Sequence, residues 1–155
     1  MPALRKRCAR DSHETAPVYL TPRPRRAYKG EADTGGGLHL RPRDMAKIGQ
    51  LVLADGRWND RQIVSKEWIE TSTASKLKAT GGFSYGYLWW LGRARPNGRE
   101  LTWIGALGRG GQYIRIVPEL DLVVVVTGGY YEDYSPRAFG VQSGVFRDVL
   151  LAVNA

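Results

Sequence analysis

The sequence predicts an α+β domain in which helices pack on an antiparallel sheet of three to four strands. Apolar residues recur at helical spacing near residues 42–54 and again towards the C-terminus, whereas the residues after Gly81 and Gly82 follow β-strand patterns. The connections between these strands are short. Because a parallel crossover needs a dozen or more residues, the strands are expected to pair antiparallel.

The first helix is predicted at about residues 42–54. Pro42 suits the first helical position, and Asp44 lies in the first turn, where the helix dipole favours a negative charge. Asp55 and Gly56 then supply the stop signal. The apolar stripe of this helix consists of Met45, Ile48, Leu51 and Val52.

Two further helices are predicted. Ser65 is expected to cap a short helix that ends near Ser72 and buries Trp68 and Ile69. A C-terminal helix is expected to cover one face of the sheet. This helix is outlined by Val145, Val149, Leu150 and Val153.

Four segments are predicted as strands, and residues 57–60 are predicted as a turn. The strands are the aromatic-rich residues 85–91 and the apolar or β-branched residues 101–107, 112–117 and 122–127. The last of these contains four consecutive valines, which predicts a strand buried on both faces.

The net charge of +8 is concentrated at the start of the chain, where residues 1–30 hold eight Lys or Arg against two acidic residues. Residues 1–33 also carry Pro17, Pro22 and Pro24 and lack apolar periodicity, so they are predicted as a basic arm, extended or disordered, before a domain at 34–155. Such an arm can attract phosphates. A short basic run is more often a solvated tail, so a nucleic-acid partner is not expected.

The composition excludes several other classes of site. A single cysteine, Cys8, allows no intrachain disulfide, and with only two histidines no structural zinc site or other metal site is predicted. No cofactor is expected. No apolar run approaches the ~20 residues that a membrane span requires. The basic start is followed by Asp11 and Glu14 rather than by the apolar stretch of a secretory signal.

Three apparent catalytic features are weak on inspection. Residues 82–86 match G-x-S-x-G around Ser84, but a strand rather than a helix is predicted to follow, and no histidine occurs after His39. Residues 75–78 match S-x-x-K, yet this copy is expected at the frayed end of the short second helix. His39 has no serine or carboxylate tied to it by spacing.

Three blocks of sequence, taken in their order along the chain, are a more specific signal of function than these short motifs. They are GGGLHLRPRDMAKIG at 35–49, YGYLWW at 85–90 and GGQYIRIVPELDLVVVV at 110–126. Together with DGRW at 55–58 and SKEW at 65–68, they resemble the C-terminal part of the β-lactamase-related serine hydrolases, which include class C β-lactamases, D-Ala-D-Ala peptidases and esterases. The resemblance covers residues 35–152 and implies a partial β-lactamase or transpeptidase-like fold.

The resemblance also implies acyl-enzyme chemistry. Family members use the serine of an S-x-x-K motif as nucleophile, with the motif lysine and the tyrosine of a Y-x-N motif sharing proton transfer. Both motifs normally precede the block at 35–49, and no Y-x-N occurs anywhere in this sequence. No catalytic residue is therefore assigned.

A third family segment lines the substrate site, and the resemblance implies that it falls just before the strand at 112–117. The predicted substrate-binding residues are Gly108, Arg109, Gly110, Gly111 and Gln112. Neither Lys nor His stands in this segment. Arg109 stays protonated, so it suits the binding of a carboxylate better than proton transfer, and this favours an esterase-like or other ester or amide hydrolase.

The sequence therefore predicts a C-terminal segment of a β-lactamase-related serine hydrolase that is inactive alone, with an ester or amide as the substrate of its full-length relatives. The alternative is a non-catalytic interaction module. One apolar edge of the sheet is expected to lack a partner strand, and it would then self-associate or pair with an N-terminal half.

Overall fold

A computed structural model describes residues 40–129 and 136–153 of the chain. The chain divides into two units, Met1–Arg41 and Pro42–Ala155, and every element named below belongs to the second unit. The arm predicted at residues 1–33 and His39 lie outside the described residues.

Residues 40–129 and 136–153 contain three α-helices: α1 (Pro42–Leu53), α2 (Lys66–Thr73) and α3 (Pro136–Val153). The first two confirm the sequence prediction almost to the residue. Ser65 caps α2, since its Oγ accepts a hydrogen bond from the backbone N–H of Trp68 at 3.1 Å. In the first turn of α1, the buried Asp44 carboxylate pairs with the Lys47 ammonium at 2.9 Å. No helix in the described part of the chain is long and apolar enough to cross a membrane.

A small hairpin separates α1 from α2. Its strands are β1 (Arg57–Trp58) and β2 (Arg61–Gln62), and they pair antiparallel. The two residues between them, Asn59 and Asp60, both have positive φ, of 45° and 63°. Two consecutive positive φ values are typical of the tight hairpin turn whose twist matches that of the strands.

The main sheet contains six strands in sequential order, and every neighbouring pair is antiparallel as predicted. The sequence predicted only three to four strands because two of the six are two residues long, too short to give a strand pattern. The strands are β3 (Leu77–Lys78), β4 (Ser84–Tyr85), β5 (Trp90–Ala94), β6 (Leu101–Gly108), β7 (Gln112–Val117) and β8 (Leu122–Val126).

The single strand predicted at residues 85–91 is wrong. The chain reverses between β4 and β5, where the N–H of Gly86 donates to the carbonyl of Trp89 at 2.8 Å. Leu88 adopts a left-handed conformation with φ of 64° within this loop. The aromatic-rich run therefore forms a tight hairpin. The sequence did not predict the turn, because the run is apolar and Leu is rarely found at positive φ.

Successive side chains of each strand point to opposite faces of the sheet, so two separate apolar cores form, one on each face. On one face, α3 contributes Phe146 and Leu150 to a cluster with alternate residues of the strands. On the other, α1 packs on β7 and β8. The first core contains Leu101, Trp103, Tyr113, Val117, Val124, Phe146 and Leu150; the second contains Val52, Ile69, Ile114 and Ile116. Both faces of β8 join a core, as predicted, although only Val124 is buried and the other four residues are half-buried.

Two predicted packing details are wrong. Trp68 is 53% exposed rather than buried, because the short helix α2 buries only Ile69 and Ser72. In α3, Leu150 is buried and Val149 half-buried as expected, but Val145 and Val153 are exposed. Phe146 takes the core position that was predicted for Val145.

The α3 face also holds a cation among aromatic rings. The Arg115 guanidinium lies 4.9 Å from the ring centre of Trp103, 4.6 Å from that of Tyr113 and 4.6 Å from that of Phe146. Burial lowers the pKa of Arg115, but the group remains a cation at physiological pH. Cation–π contacts of this kind strengthen when they are desolvated, so Arg115 fastens α3 to the sheet.

Gly92 makes close packing of this core possible. It pairs with Trp103 across β5 and β6, and a Cβ atom added there would overlap the buried Trp103 indole. We expect Gly92→Ala to lower the free energy of unfolding by about 1–3 kcal/mol, since the indole cannot move without disturbing its neighbours. Urea denaturation of the purified chain measures this change.

The matched control is Gly144→Ala in α3, where an added Cβ meets nothing within 4 Å. The same chemical change there is expected to raise stability by about 0.5–1 kcal/mol, because alanine favours the helix. Equal effects at the two positions would contradict this account of the core.

Candidate active site at the glycine-rich end of the sheet

The predicted substrate-binding residues form the turn between β6 and β7. Gly108 pairs with Gln112, and the chain reverses through Arg109, Gly110 and Gly111. Gly110 and Gly111 have φ values of 84° and 91°, a region that side chains rarely adopt. Gly108 is under no such constraint, since an added Cβ would meet only ordinary contacts beginning at 3.6 Å.

The turn is braced by the segment that follows β8. A Cβ added to Gly128 would lie 2.5 Å from the Gly110 carbonyl oxygen and 3.2 Å from the Gly111 Cα. The backbone at Gly128 therefore packs directly on the turn. Only glycine fits at position 128, because the backbone of the turn lies so close to it. Gly129, the next residue, has open space around it.

The two polar side chains of the turn differ in setting. Arg109 is exposed at the tip, and Gln112 is half-buried at the start of β7. The Tyr113 side chain that follows is 1% exposed, and burial raises the pKa of its phenol. Tyr113 therefore stays protonated near neutral pH, which does not suit it to accept a proton from a nucleophile.

The ladder between β5 and β6 stops before the turn. Its last pair is Trp90 with Gly105, whereas the pairing of β6 with β7 continues to Gly108. In the described part of the chain, residues 106–108 thus have a strand neighbour on one side only. This three-residue edge leads directly into the glycine turn, and a peptide-like ligand can add to such an edge.

Register also brings the β4–β5 loop to the same end of the sheet. Because Trp90 pairs with Gly105, residues 86–89 lie beyond that pair, in the direction of Gly108. The Tyr87 N–H donates to the Ser72 carbonyl at 2.9 Å, so the loop is attached to the end of α2. A Cβ on Gly86 would lie 2.8 Å from the Ala74 carbonyl oxygen, which explains the glycine there.

Sequence reasoning missed one group of residues at this end. The Trp68 and Tyr87 rings stack with centroids 5.8 Å apart, and the Lys76 Nζ lies 5.3 Å from the Tyr87 ring centre. Both aromatic side chains are about half exposed. The three residues lie on α2, on the segment before β3 and in the β4–β5 loop, so no local pattern in the sequence links them.

Comparison with known proteins decides the family. The sequence model of the family described as Beta-lactamase matches residues 2–135, well over half of the chain. The chain belongs to the beta-lactamase family. This confirms the resemblance found in the sequence and the partial α+β fold that it implied.

Two relatives of this beta-lactamase-family chain are informative. A 6-aminohexanoate-dimer hydrolase from Paenarthrobacter ureafaciens is 28% identical over 130 residues, which is 77% of this chain and 32% of that enzyme. A solved structure from Bacillus anthracis, provisionally assigned as a 6-aminohexanoate-dimer hydrolase, superposes with a TM-score of 0.61 and 26% identity. It covers 76% of this chain and 30% of that one. The chain thus spans about a third of the length of these relatives.

The S-x-x-K and G-x-S-x-G matches lack the local structure that each motif requires in this beta-lactamase-family chain. α2 ends at Thr73, so Ser75 lies in the loop after it and Lys78 lies in β3, not at a frayed helix end as predicted. The two residues therefore do not share a helical face. Ser84 begins β4, and no helix follows it as a nucleophile elbow requires. The described residues also contain no group of three His, Cys, Asp or Glu placed to hold a metal.

The brace at Gly128 can be tested against its neighbour. We expect Gly128→Ala to displace the glycine turn and to lower the free energy of unfolding by about 1–3 kcal/mol, because backbone atoms cannot yield as a flexible side chain can. Amide hydrogen exchange at residues 109–112 should rise in this variant.

Gly129→Ala is the matched control and should change stability by no more than about 0.5 kcal/mol. If exchange at residues 109–112 were the same in both variants, the turn would not depend on Gly128.

Proposed function

We propose that this chain is the substrate-lining part of a serine hydrolase that cleaves linear amides through an acyl-enzyme, and that it is inactive alone. The observation that carries the proposal is the edge at residues 106–108, which β5 leaves unpaired and which runs into the braced glycine turn. A linear amide has the N–H and C=O groups that pair with such an edge. Backbone N–H groups there suit an oxyanion as well.

The proposed substrate class rests on the relatives' names. The relatives' names indicate hydrolysis of the dimer of 6-aminohexanoate, which is a linear aliphatic amide. The turn of this chain carries Arg109, a permanent cation that does not suit proton transfer. The relatives' names therefore favour an amide hydrolase over a β-lactamase.

The proposed inactivity rests on the missing proton-transfer groups. An attacking serine needs a neighbouring base. This sequence contains no Y-x-N motif, and its one S-x-x-K match is split between a loop and a strand. The chain spans about a third of the relatives, and the proposal assigns the nucleophile to a segment outside these 155 residues.

One NMR experiment tests binding and inactivity together. When the linear dimer of 6-aminohexanoate is added to the ¹⁵N-labelled chain, the amide signals of residues 106–112 should shift, because the ligand adds to that edge. No monomer should form over a day, since the proton-transfer groups are missing.

Ser75→Ala is the control and should leave both results unchanged. Absent shifts at residues 106–112 would contradict the binding role. Release of monomer by the wild-type chain that Ser75→Ala abolishes would contradict the proposed inactivity.

A second candidate function is an interaction module, and the composition of β8 favours it. In the described part of the chain β8 is an outermost strand of the sheet, and it consists of one leucine and four valines with no charge. Natural edge strands usually carry charges or prolines that prevent pairing with another chain.

Sedimentation velocity tests the second candidate. If β8 pairs with a copy of itself, the chain should form dimers at micromolar concentration, and Val125→Lys should restore the monomer by placing a charge in the edge. Val153→Lys, at an exposed position near the end of α3, is the control and should leave the dimer intact. A wild-type chain that is monomeric throughout this range would exclude self-association.

A further inference from the structure

The exposed pair Trp68 and Tyr87, with Lys76 beside it, has no role in either apolar core. Trp68 is 53% exposed and Tyr87 51%, while each core is complete without them. Leu88, next in the chain, is 73% exposed and has positive φ. Large apolar groups exposed together are characteristic of binding surfaces.

The backbone holds this surface in place. Three hydrogen bonds fix its segments: Tyr87 N–H to the Ser72 carbonyl, Gly86 N–H to the Trp89 carbonyl, and Lys76 N–H to the Tyr85 carbonyl, all between 2.8 and 2.9 Å. The two rings are nearly parallel, with an interplanar angle of 18°. A surface ordered before binding loses less entropy when a ligand arrives.

Its distance from the glycine turn follows from the order of the strands. The β4–β5 loop and the β6–β7 turn leave the same end of the sheet and are two strand spacings apart, which is about 10 Å. That span corresponds to about three residues of extended chain. A linear ligand that lies on the edge at residues 106–108 and extends by at least this length can therefore reach the aromatic pair.

We infer that Trp68, Tyr87 and Lys76 form a subsite for one end of a linear aliphatic amide that terminates in a carboxylate. The inference rests on the proposed function, because it assigns the substrate's far end to this surface. The ring faces contact the methylene groups, and the Lys76 ammonium binds the carboxylate. Lys76 is exposed and retains N–H donors beyond its contact with the Tyr87 ring.

The cation that lies beside the aromatic pair is Lys76. The closest cation on α2, Lys66, is occupied by the Asp55 carboxylate at 3.1 Å and by Glu70 at 3.8 Å. Of the lysines that flank β3, Lys76 is the one placed against an aromatic ring. The combination of an aliphatic-binding face and one cation is selective for an apolar chain with an anionic end.

Binding to two ligands separates the roles. We expect Lys76→Met to weaken binding of the linear dimer of 6-aminohexanoate about 5–10-fold and to leave binding of its C-terminal amide unchanged, because the amide lacks the negative charge. Trp68→Ala should weaken both ligands by a similar factor, since the ring contacts the methylene chain. Titration of the ¹⁵N-labelled full chain measures both affinities. It is followed at the amide signals of residues 106–112 in every variant, and also at the Trp68 indole N–H in the variants that keep Trp68.

Lys78→Met, two residues further along on β3, is the matched control and should change neither affinity more than about twofold. Trp68→Phe keeps an aromatic face and should retain most of the binding, which distinguishes lost contact from lost folding. If residues 106–112 shift on binding but the Trp68 indole does not, or if Lys76→Met weakens both ligands equally, the subsite is wrong and the proposed function stands. If no residue shifts, the proposed function fails as well.

Discussion

The register between β6 and β7 is the constraint on which the rest of this structure depends. With Ile104 opposite Ile116 and Gly108 opposite Gln112, the odd-numbered residues of β7 face α3 and the even-numbered ones face α1. A slip of one residue would move Tyr113 and its neighbours to the opposite face and destroy both cores at once. The same register sets the length of β6, so it also decides where the glycine turn and the edge at residues 106–108 lie.

Glycines at this end of the sheet act by different physical means. Gly110 and Gly111 are needed for their positive φ, while Gly128 and Gly86 are needed because another backbone lies against them. Because Gly86 has no side chain, the β4–β5 loop packs directly on the backbone at the end of α2. Because Gly128 has none, the segment after β8 packs directly on the β6–β7 turn. The result is a rigid end of the sheet formed largely by backbone, which is the setting that binding through N–H and C=O groups requires.

The fold was largely predictable because its main elements have strong local signals. Pro42, Ser65 and the apolar periodicity marked α1 and α2, and β-branched residues marked β6, β7 and β8. The misses arose where tertiary contacts decide the outcome. Trp68 does not enter a core but stacks on Tyr87, nineteen residues away, and the loop at Leu88 depends on a hydrogen bond to the end of α2. Neither contact leaves a periodic trace, so the aromatic part of the candidate site was not predictable, whereas its glycine turn was.

In the described part of the chain, the edge of β8 and the short edge of β6 differ in length and rigidity. The edge of β8 is five residues long and apolar, with side chains that contribute to both cores, so it matches another protein strand of similar length. The edge of β6 spans only residues 106–108 and ends in a turn that Gly128 holds fixed. Three residues are too few for a stable strand pair between proteins but enough for one amide group of a small ligand and its neighbours. Length and rigidity therefore support the proposed substrate site at β6, and the apolar length of β8 supports the alternative of association.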